Sequence, residues 1–232
     1  MLYLIGTPIG NLEDITLRAL RILREEIDYI FAEDTRRALK LLNFFDIKKP
    51  VDSFNEHSSI KKKNKILELL KDNKNVAYIS DAGMPVISDP GTELVNICLE
   101  NNIPWDVIPG PSAPITALSA SGFYGNRFLF LGFMPRDKKR RKLLRMIKDE
   151  NLADVFVFFE SPERLLKTLK DILEIIGDVE IFIARELTKI HQEYFKGAIS
   201  EALEHFSGGV KGEITVVFKN KLLTKNNNGC IL

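Results

Sequence analysis

Acid, amide, glycine and proline residues collect at four points of this chain, a mixture suited to ligand loops. The points are Gly6-Thr-Pro-Ile-Gly-Asn11, Glu33-Asp-Thr-Arg36, Asn55-Glu-His-Ser58 and the run Ser80-Asp-Ala-Gly-Met-Pro-Val-Ile-Ser-Asp-Pro-Gly91. The last is the most telling. Gly83 and Gly91 let the backbone approach a ligand or take positive φ, while Pro85 and Pro90 keep the loop stiff. A plain strand-to-helix turn has little need of two Asp, two Gly and two Pro together. Several chemistries are excluded. Gly6-Thr-Pro-Ile-Gly10 is not G-x-G-x-x-G, Pro8 removes an amide that a phosphate cradle would use, and no P-loop is present. His57, His191 and His205 are scattered, and no Cys/His grouping suggests zinc, so no metal is expected. His57 follows Glu56 at a strand end and is a functional candidate, whereas His205 reads as surface. Ser112 lacks the G-x-S-x-G elbow, which argues against a hydrolase.

The elements that must hold these points alternate. Leu2-Ile5, Asp28-Ala32, Val51-Phe54, Asn75-Ile79 and Pro104-Ile108 read as strands, each apolar and each ending at a polar or glycine-rich segment. Helices fit between them: from a cap at Asp14 or Thr16 through Glu26 with Leu17, Leu20, Ile22 and Leu23 inward, then Arg36-Phe45, Ile60-Lys71 and Thr92-Glu100. This βαβα alternation predicts a parallel sheet flanked by helices. The carboxyl ends of parallel strands share one edge, so the four points converge on a single cleft. The second half differs. A small-residue helix over Pro114-Ser121 precedes strongly apolar strands at Phe128-Phe133, Val155-Phe159 and Glu180-Ala184, with later strands at Gln192-Gly197 and Glu213-Lys219. Helices fit Lys138-Lys148, Glu163-Ile176 and Ile199-Phe206. The boundary falls near Pro111-Thr116, giving domains over residues 1–113 and 114–220 and a polar, disordered tail over 221–232.

The chain has 232 residues, 45% hydrophobic and 28% charged, as in ordinary soluble proteins. No apolar stretch approaches the roughly 18 residues a membrane span needs, so no membrane partner is expected. Met1-Ile5 reads as a first strand rather than a signal peptide. Cys98 and Cys230 show no metal or redox spacing, which fits a reducing, cytoplasmic setting. A net charge of +1 neither implies nor excludes a nucleic-acid partner. Lys61-Lys62-Lys63 and Lys138-Lys139-Arg140-Arg141-Lys142 are either solvated helix faces or RNA-binding surfaces.

An ordered series of motifs runs from Met1 to about Phe218. It comprises Gly6-Thr16, Glu33-Arg36, Ser80-Gly91, Pro109-Ala113 (Pro-Gly-Pro-Ser-Ala), Ala117-Gly122 (Ala-Leu-Ser-Ala-Ser-Gly) and Arg127-Pro135. It continues with Phe159-Leu165 (Phe-Glu-Ser-Pro-Glu-Arg-Leu), Arg185-Lys189 and Lys211-Glu213. The series resembles the tetrapyrrole methylase superfamily, and within it the branch of small-subunit ribosomal RNA 2′-O-methyltransferases.

The resemblance implies an α/β fold of two domains, a parallel-sheet N-terminal one and a mixed-sheet C-terminal one. S-adenosylmethionine would lie in a cleft between them, and the protein would be a homodimer. It implies 2′-O-methylation of a cytidine ribose in the decoding region of 16S rRNA, with that RNA or the 30S particle as partner. Carried across, the cofactor contacts are Gly6, Thr7, Pro8, Asp81, Ala82, Gly83, Ser112 and Ala113, with Ser119, Ala120 and Phe133 as wall residues. Ser119 and Ala120 fit close helix packing equally well. Asp89, Pro90 and Gly91 then cap the next helix. Methyl transfer to a ribose oxygen needs donor and acceptor in line and a group that takes the hydroxyl proton. Asp34, Glu56 and His57 are candidate bases, and Arg36 and Lys189 could hold phosphates or stabilise alkoxide character. Asp34 reads equally as a helix cap or an ion-pair partner of Arg36 or Arg37, and Glu186 and Lys189 as ion-paired structure. Lys138, Lys139, Arg140 and Arg141 are the candidate RNA contacts.

The chain departs from the family pattern at Met84, where Thr is expected, and at Asn55-Glu-His-Ser58, where His-Glu-His-Asn is expected. Longer members append a C-terminal segment that would help grip RNA; without it, weight shifts to the Lys138-Lys142 cluster. Two competing readings are a tetrapyrrole or diphthamide-pathway methylase of the same fold and a non-catalytic ribosome assembly factor. Glu33-Arg36 and Asn55-Ser58 favour the RNA branch over the first.

Overall fold

The computed structural model describes residues 1–87, 90–150 and 153–220. The expected tail over 221–232 and the expected capping residue Asp89 lie outside the described residues. The chain forms two compact units, Met1–Ser112 and the residues from Ala113 onward.

In the first unit five short strands make one parallel sheet: β1 (Leu2–Ile5), β2 (Tyr29–Ala32), β3 (Val51–Ser53), β4 (Val76–Ile79) and β5 (Trp105–Ile108), in the order β3-β2-β4-β1-β5. Strands β1 and β4 are buried throughout, as strands covered on both faces are. On one face, helices α1 (Leu17–Glu25) and α2 (Thr35–Phe44) pack Ala19, Ile22, Leu23, Ala38, Leu41 and Leu42 onto Tyr3, Ile5, Ile30 and Ile79. On the other, α3 (Ile60–Lys71) and α4 (Gly91–Glu100) bring Ile66, Leu70, Leu94 and Cys98 onto Leu2, Leu4, Phe31 and Tyr78. Leu17 is not an inward residue; it is 86% exposed. It lies about 200° around the helix from Ala19, away from the buried stripe.

Register and topology together create the binding edge. Ser53 pairs with Ala32, Ala32 with Ile79, Ile79 with Ile5 and Ile5 with Ile108. All five strands therefore end in one row, and the segments that follow them emerge side by side. The neighbours β1 and β4 are followed by helices on opposite faces, α1 and α4. That divergence is the topological switch point at which open α/β sheets bind ligands.

The second unit has a mixed sheet in the order β6-β7-β10-β8-β9, from β6 (Phe128–Phe133), β7 (Val155–Glu160), β8 (Glu180–Arg185), β9 (Glu193–Ala198) and β10 (Ile214–Lys219). Only β6 and β7 run parallel; the remaining neighbours are antiparallel. Helix α5 (Ala113–Ser121) packs against β7, β8 and β10. Helices α6 (Asp137–Asp149), α7 (Pro162–Ile175) and α8 (Ile199–His205) bury Leu144, Leu169, Ile172 and Ala202 against Phe156, Phe158 and Val216. Among the described residues no helix is long and apolar enough to cross a membrane.

Candidate functional site

The switch point is built mainly of backbone. Thr7 and Gly83, in the loops after β1 and β4, form a two-bond bridge: the Thr7 amide donates to Gly83 O (2.9 Å) and the Gly83 amide to Thr7 O (3.1 Å). The buried Thr7 hydroxyl lies 3.5 Å from the carbonyls of Ser80 and Gly83. Gly6 meets Gly110, in the loop after β5, so closely that a Cβ on Gly6 would stand 2.7 Å from Gly110 Cα. Only glycine fits, because the neighbouring atom is backbone and has no rotamer with which to yield. Gly83 takes φ +82°, the left-handed region that favours glycine. Gly6, Thr7, Pro8 and Gly83 are buried at the junction, while Ala82 is exposed. Met84 closes the notch: its Sδ accepts from the Gly110 amide at 3.1 Å. Val86, a β-branched residue, is held at φ +78°, a costly conformation of the kind that clusters at ligand-binding loops. Pro90 occupies the cap of α4 and Gly91 begins the helix.

Asp81 ties this junction to the loop after β2. One carboxylate oxygen accepts from the Asp34 amide at 2.9 Å, and the other lies 3.5 Å from Arg37 Nε. Asp34 in turn caps α2, accepting from the Arg36 amide at 2.8 Å, and its carboxylate is gripped by the Arg36 guanidinium at 3.0 and 2.5 Å. Those bonds from Arg36 hold the Asp34 carboxyl down at about 2 and push Arg36 up. A carboxylate so stabilised is a weak proton acceptor, so the cap and ion-pair roles are the ones realised in this arrangement. The loop after β3 is different. Its turn closes on itself, with the Asn55 amide donating to Ser58 Oγ (2.9 Å) and the His57 amide to Asn55 Oδ1 (3.1 Å). Glu56 and His57 are exposed, with Glu56 Oε1 3.4 Å from His57 Nε2.

In the second unit, Lys189 is bound by Glu186 at 2.8 Å and Glu213 at 3.0 Å. Partial burial works against its charge, but those carboxylates outweigh it and raise the ammonium above its ordinary value. Glu186 also accepts from the Glu213 amide at 2.8 Å, so two of the sequence motifs pack as one knot. Ser119 and Ala120 are exposed on α5, whose buried positions are Pro114, Ala117 and Ser121. Ser112 and Ala113 are half-buried where α5 begins. Phe133, 61% exposed, follows a break in the β6–β7 register and leans on Phe159 with ring centres 5.2 Å apart.

The basic run on α6 requires a correction. Arg140 is not a surface cation: it is 1% exposed, with Nε 2.6 Å from Asp171 Oδ2 and Nη1 3.2 Å from Thr168 Oγ1. Arg141 is engaged as well, by Asp171 (2.6 Å) and by Glu174. Helical phase explains this, since Arg140 is on the same stripe as the buried Leu144 and Ile147. Lys138 and Lys139 remain exposed. The other run is mostly paired too: Lys62 with Asp52 at 2.9 Å and Lys63 with Glu93. The network continues through Thr168 to the buried Glu160, which accepts from the Ser161 amide (2.8 Å) and pairs with Arg164 (3.1 Å). Arg164 also donates to the carbonyls of Met134 and Pro135. Glu160 and Arg164 stood in the motif Phe159-Leu165 with no role assigned, and Thr168 and Asp171 were not singled out in the sequence. The available signal was polar residues at helical spacing among the buried Leu165, Leu169 and Ile172.

Known proteins resemble this chain in sequence and in fold. The family model described as Tetrapyrrole (Corrin/Porphyrin) Methylases matches residues 1–203. A Thermotoga maritima protein named Ribosomal RNA small subunit methyltransferase I is 61% identical over 95% of this chain and 98% of its own length. A Halalkalibacterium halodurans protein of the same name is 45% identical over 93% of this chain and 74% of its own. Among solved structures, the uroporphyrin-III-C-methyltransferase from Thermus thermophilus superposes with TM-score 0.62 at 20% identity, covering 93% of each chain. The methyltransferase CobJ does so with TM-score 0.68 at 15% identity, covering 95% of this chain and 94% of its own. At those identities the two structures speak for the fold.

Proposed function

The chain belongs to the tetrapyrrole (corrin/porphyrin) methylase family, and from that membership we propose that it methylates small-subunit ribosomal RNA, with S-adenosylmethionine as donor and the 2′-oxygen of a cytidine ribose as acceptor. The observation that carries the reading is near-full-length identity of 61% to a relative named for small-subunit ribosomal RNA methylation. In this reading the partners are the small subunit or its RNA and a second copy of the chain, and the setting is cytoplasmic.

The residues at the switch point suit such a donor. Glycine at 6, 83 and 110 lets the loops after β1, β4 and β5 close on one another, which builds a compact wall against which a flat nucleoside would lie. When bound, the donor supplies a methyl group on a positively charged sulfur. Gly6, Thr7, Pro8 and Asp81–Gly83 would hold it; Ser112, Ala113, Ser119, Ala120 and Phe133 are further contacts in this proposal. The Asp81 strut fixes the loop after β2 against the donor loop, so that acceptor and donor meet in a set orientation. Asp34, Arg36 and Lys189 are occupied by the fold, and the proton acceptor in this reading is Glu56 or His57, whose exposed side chains lie 3.4 Å from each other.

The test is transfer of labelled methyl from S-adenosylmethionine to under-methylated small subunits, followed by alkaline hydrolysis. A 2′-O-methyl group blocks attack of the 2′-oxygen on the adjacent phosphate, so the label should appear in an alkali-resistant dinucleotide beginning with cytidine. Label in alkali-labile nucleotides would overturn the ribose assignment. RNA binding without transfer would point to an assembly factor, and label entering a tetrapyrrole or a diphthamide precursor instead would point to those methylases.

A further inference from the structure

Helix α6 carries two sets of cations with separate fates. Arg140 and Arg141 point into the fold and bind Asp171, Thr168 and Glu174. Lys138, Lys139, Lys142 and Arg145 are exposed, and among the described residues none of them is in an ion pair with a carboxylate. Lys138, Lys142 and Arg145 stand at i, i+4 and i+7, so they share one stripe, about 6 and 4.5 Å apart along the axis. Like charges at that spacing oppose helix formation, and cations in the first turn oppose the helix dipole. Folding gains nothing from this stripe. The carboxylates that could have balanced it are committed elsewhere: Asp171 and Glu174 to the two arginines, and Asp137 to Lys167.

We propose that the outer stripe of α6, formed by Lys138, Lys142 and Arg145 with Lys139 beside it, is a docking surface for the phosphate backbone of RNA. The proposal rests on the RNA-methylation reading above and names a surface for that substrate. The arginine clamp gives the stripe its function: Arg140 and Arg141 fix the rotation of α6 against α7, so the free cations are presented from a rigid helix. The chemistry favours RNA over a membrane. Leu144 and Ile147 are buried and Leu143 packs against the core, so the helix exposes Met146 alone among its apolar residues, too little to insert into lipid.

The experiment compares wild-type protein, the variant Lys138→Glu/Lys142→Glu/Arg145→Glu and a charge-matched control, Lys61→Glu/Lys71→Glu/Lys74→Glu, whose lysines are exposed on the first unit. Binding to protein-free small-subunit RNA is titrated at several salt concentrations, with thermal melting and S-adenosylmethionine binding measured in parallel. The α6 variant should melt and bind the donor as wild type does. It should lose RNA affinity at least tenfold, and its salt slope should fall by about 2, at roughly 0.7 per phosphate contact. The control should lose less than half as much on the logarithmic scale. Equal losses in both variants, or an unchanged salt slope in the α6 variant, would overturn the docking surface. Failure of wild type to bind RNA at all would instead overturn the functional reading, so the two failures are separable.

Discussion

The molecule holds its charges in opposite ways in two regions. At the carboxyl edge of the first sheet, the loops meet through backbone and small residues, and the ion pairs there, Asp81–Arg37 between two loops and Asp34–Arg36 within one, involve exposed arginines. On α6 and α7 of the second unit, Arg140, Thr168, Asp171 and Glu160 form a buried chain of charge and hydroxyl. The difference separates presentation from scaffold. A surface that receives a ligand needs close backbone approach and solvent-ready polar atoms, whereas buried charge is useful when every partner is already inside.

The largest effect should come from breaking the buried network. Asp171→Ala leaves Arg140 without its carboxylate in a site that is 1% exposed, a change expected to cost about 3 kcal/mol or more. Arg140→Met should cost less, because Asp171 keeps Arg141. Denaturant unfolding of both variants checks the order. The pH dependence follows. Burial alone would raise Asp171, but the bonds from Arg140 and Arg141 outweigh it and hold the carboxyl below its ordinary 3.8. A depressed carboxyl contributes stability above its unfolded value and loses it as pH falls through the folded one. The gap between wild type and Asp171→Asn should therefore be full above about pH 5 and close below 3.8. A gap that stays constant from pH 5 to well below 3.8 would show that the ionised Asp171 carboxylate is not what stabilises the network.

Next in size is the junction of the loops. Gly6→Ala puts a Cβ within 2.7 Å of Gly110 Cα and 2.8 Å of Met84 Sδ. The thioether can swing away; the backbone cannot. A loss of about 1–3 kcal/mol is expected, together with at least tenfold weaker S-adenosylmethionine binding by calorimetry. Wild-type affinity in a destabilised variant would make the junction scaffold rather than binding surface, and would erase the distinction drawn above.

The two regions were not equally legible in the sequence. The binding edge was readable because a strand reports its face and its end through local composition. Five apolar runs gave way to Gly6, Glu33, Asn55, Ser80 and Pro109, and the parallel register then set those ends in one row. The α6–α7 network was hidden by the run Lys138-Lys139-Arg140-Arg141-Lys142, which reads as one surface cluster unless helical phase is followed residue by residue. Phase against Leu144 and Ile147 turns Arg140 inward. Nothing local, however, reveals that Asp171 waits on another helix, because that contact spans thirty-one positions of chain. Asp34 was legible only as a set of alternatives, since a cap, an ion pair and a base all ask for a carboxylate at the same place.

Asp81→Ala should have a smaller effect on stability. It strands the Asp34 amide and frees Arg37, at a cost of about 1 kcal/mol in so partly exposed a position, with weaker donor binding as the loop after β2 loosens. Calorimetry and thermal melting on one preparation check both parts. Unchanged donor affinity would detach the strut from the site.

The smallest expected effect decides the role of Asp34. Alanine there removes a helix cap, worth about 1 kcal/mol, and releases Arg36. Asparagine keeps an acceptor for the Arg36 amide, now bonded at 2.8 Å, but cannot take a proton as a carboxylate does. If Asp34 serves as cap and tether, Asp34→Asn should melt within a few tenths of a kcal/mol of wild type and keep most of its turnover. If Asp34 is the proton acceptor, the same variant should be folded, donor-bound and inactive. The group sits at about 2, held there by Arg36, so its carboxylate is ionised throughout the neutral range and no activity step near neutral pH can belong to it. A step in rate between pH 5 and 8 that survives in Asp34→Asn and disappears in His57→Gln would move the proton to the loop after β3. There the side chains of Glu56 and His57 remain outside the interlock that holds the other loops.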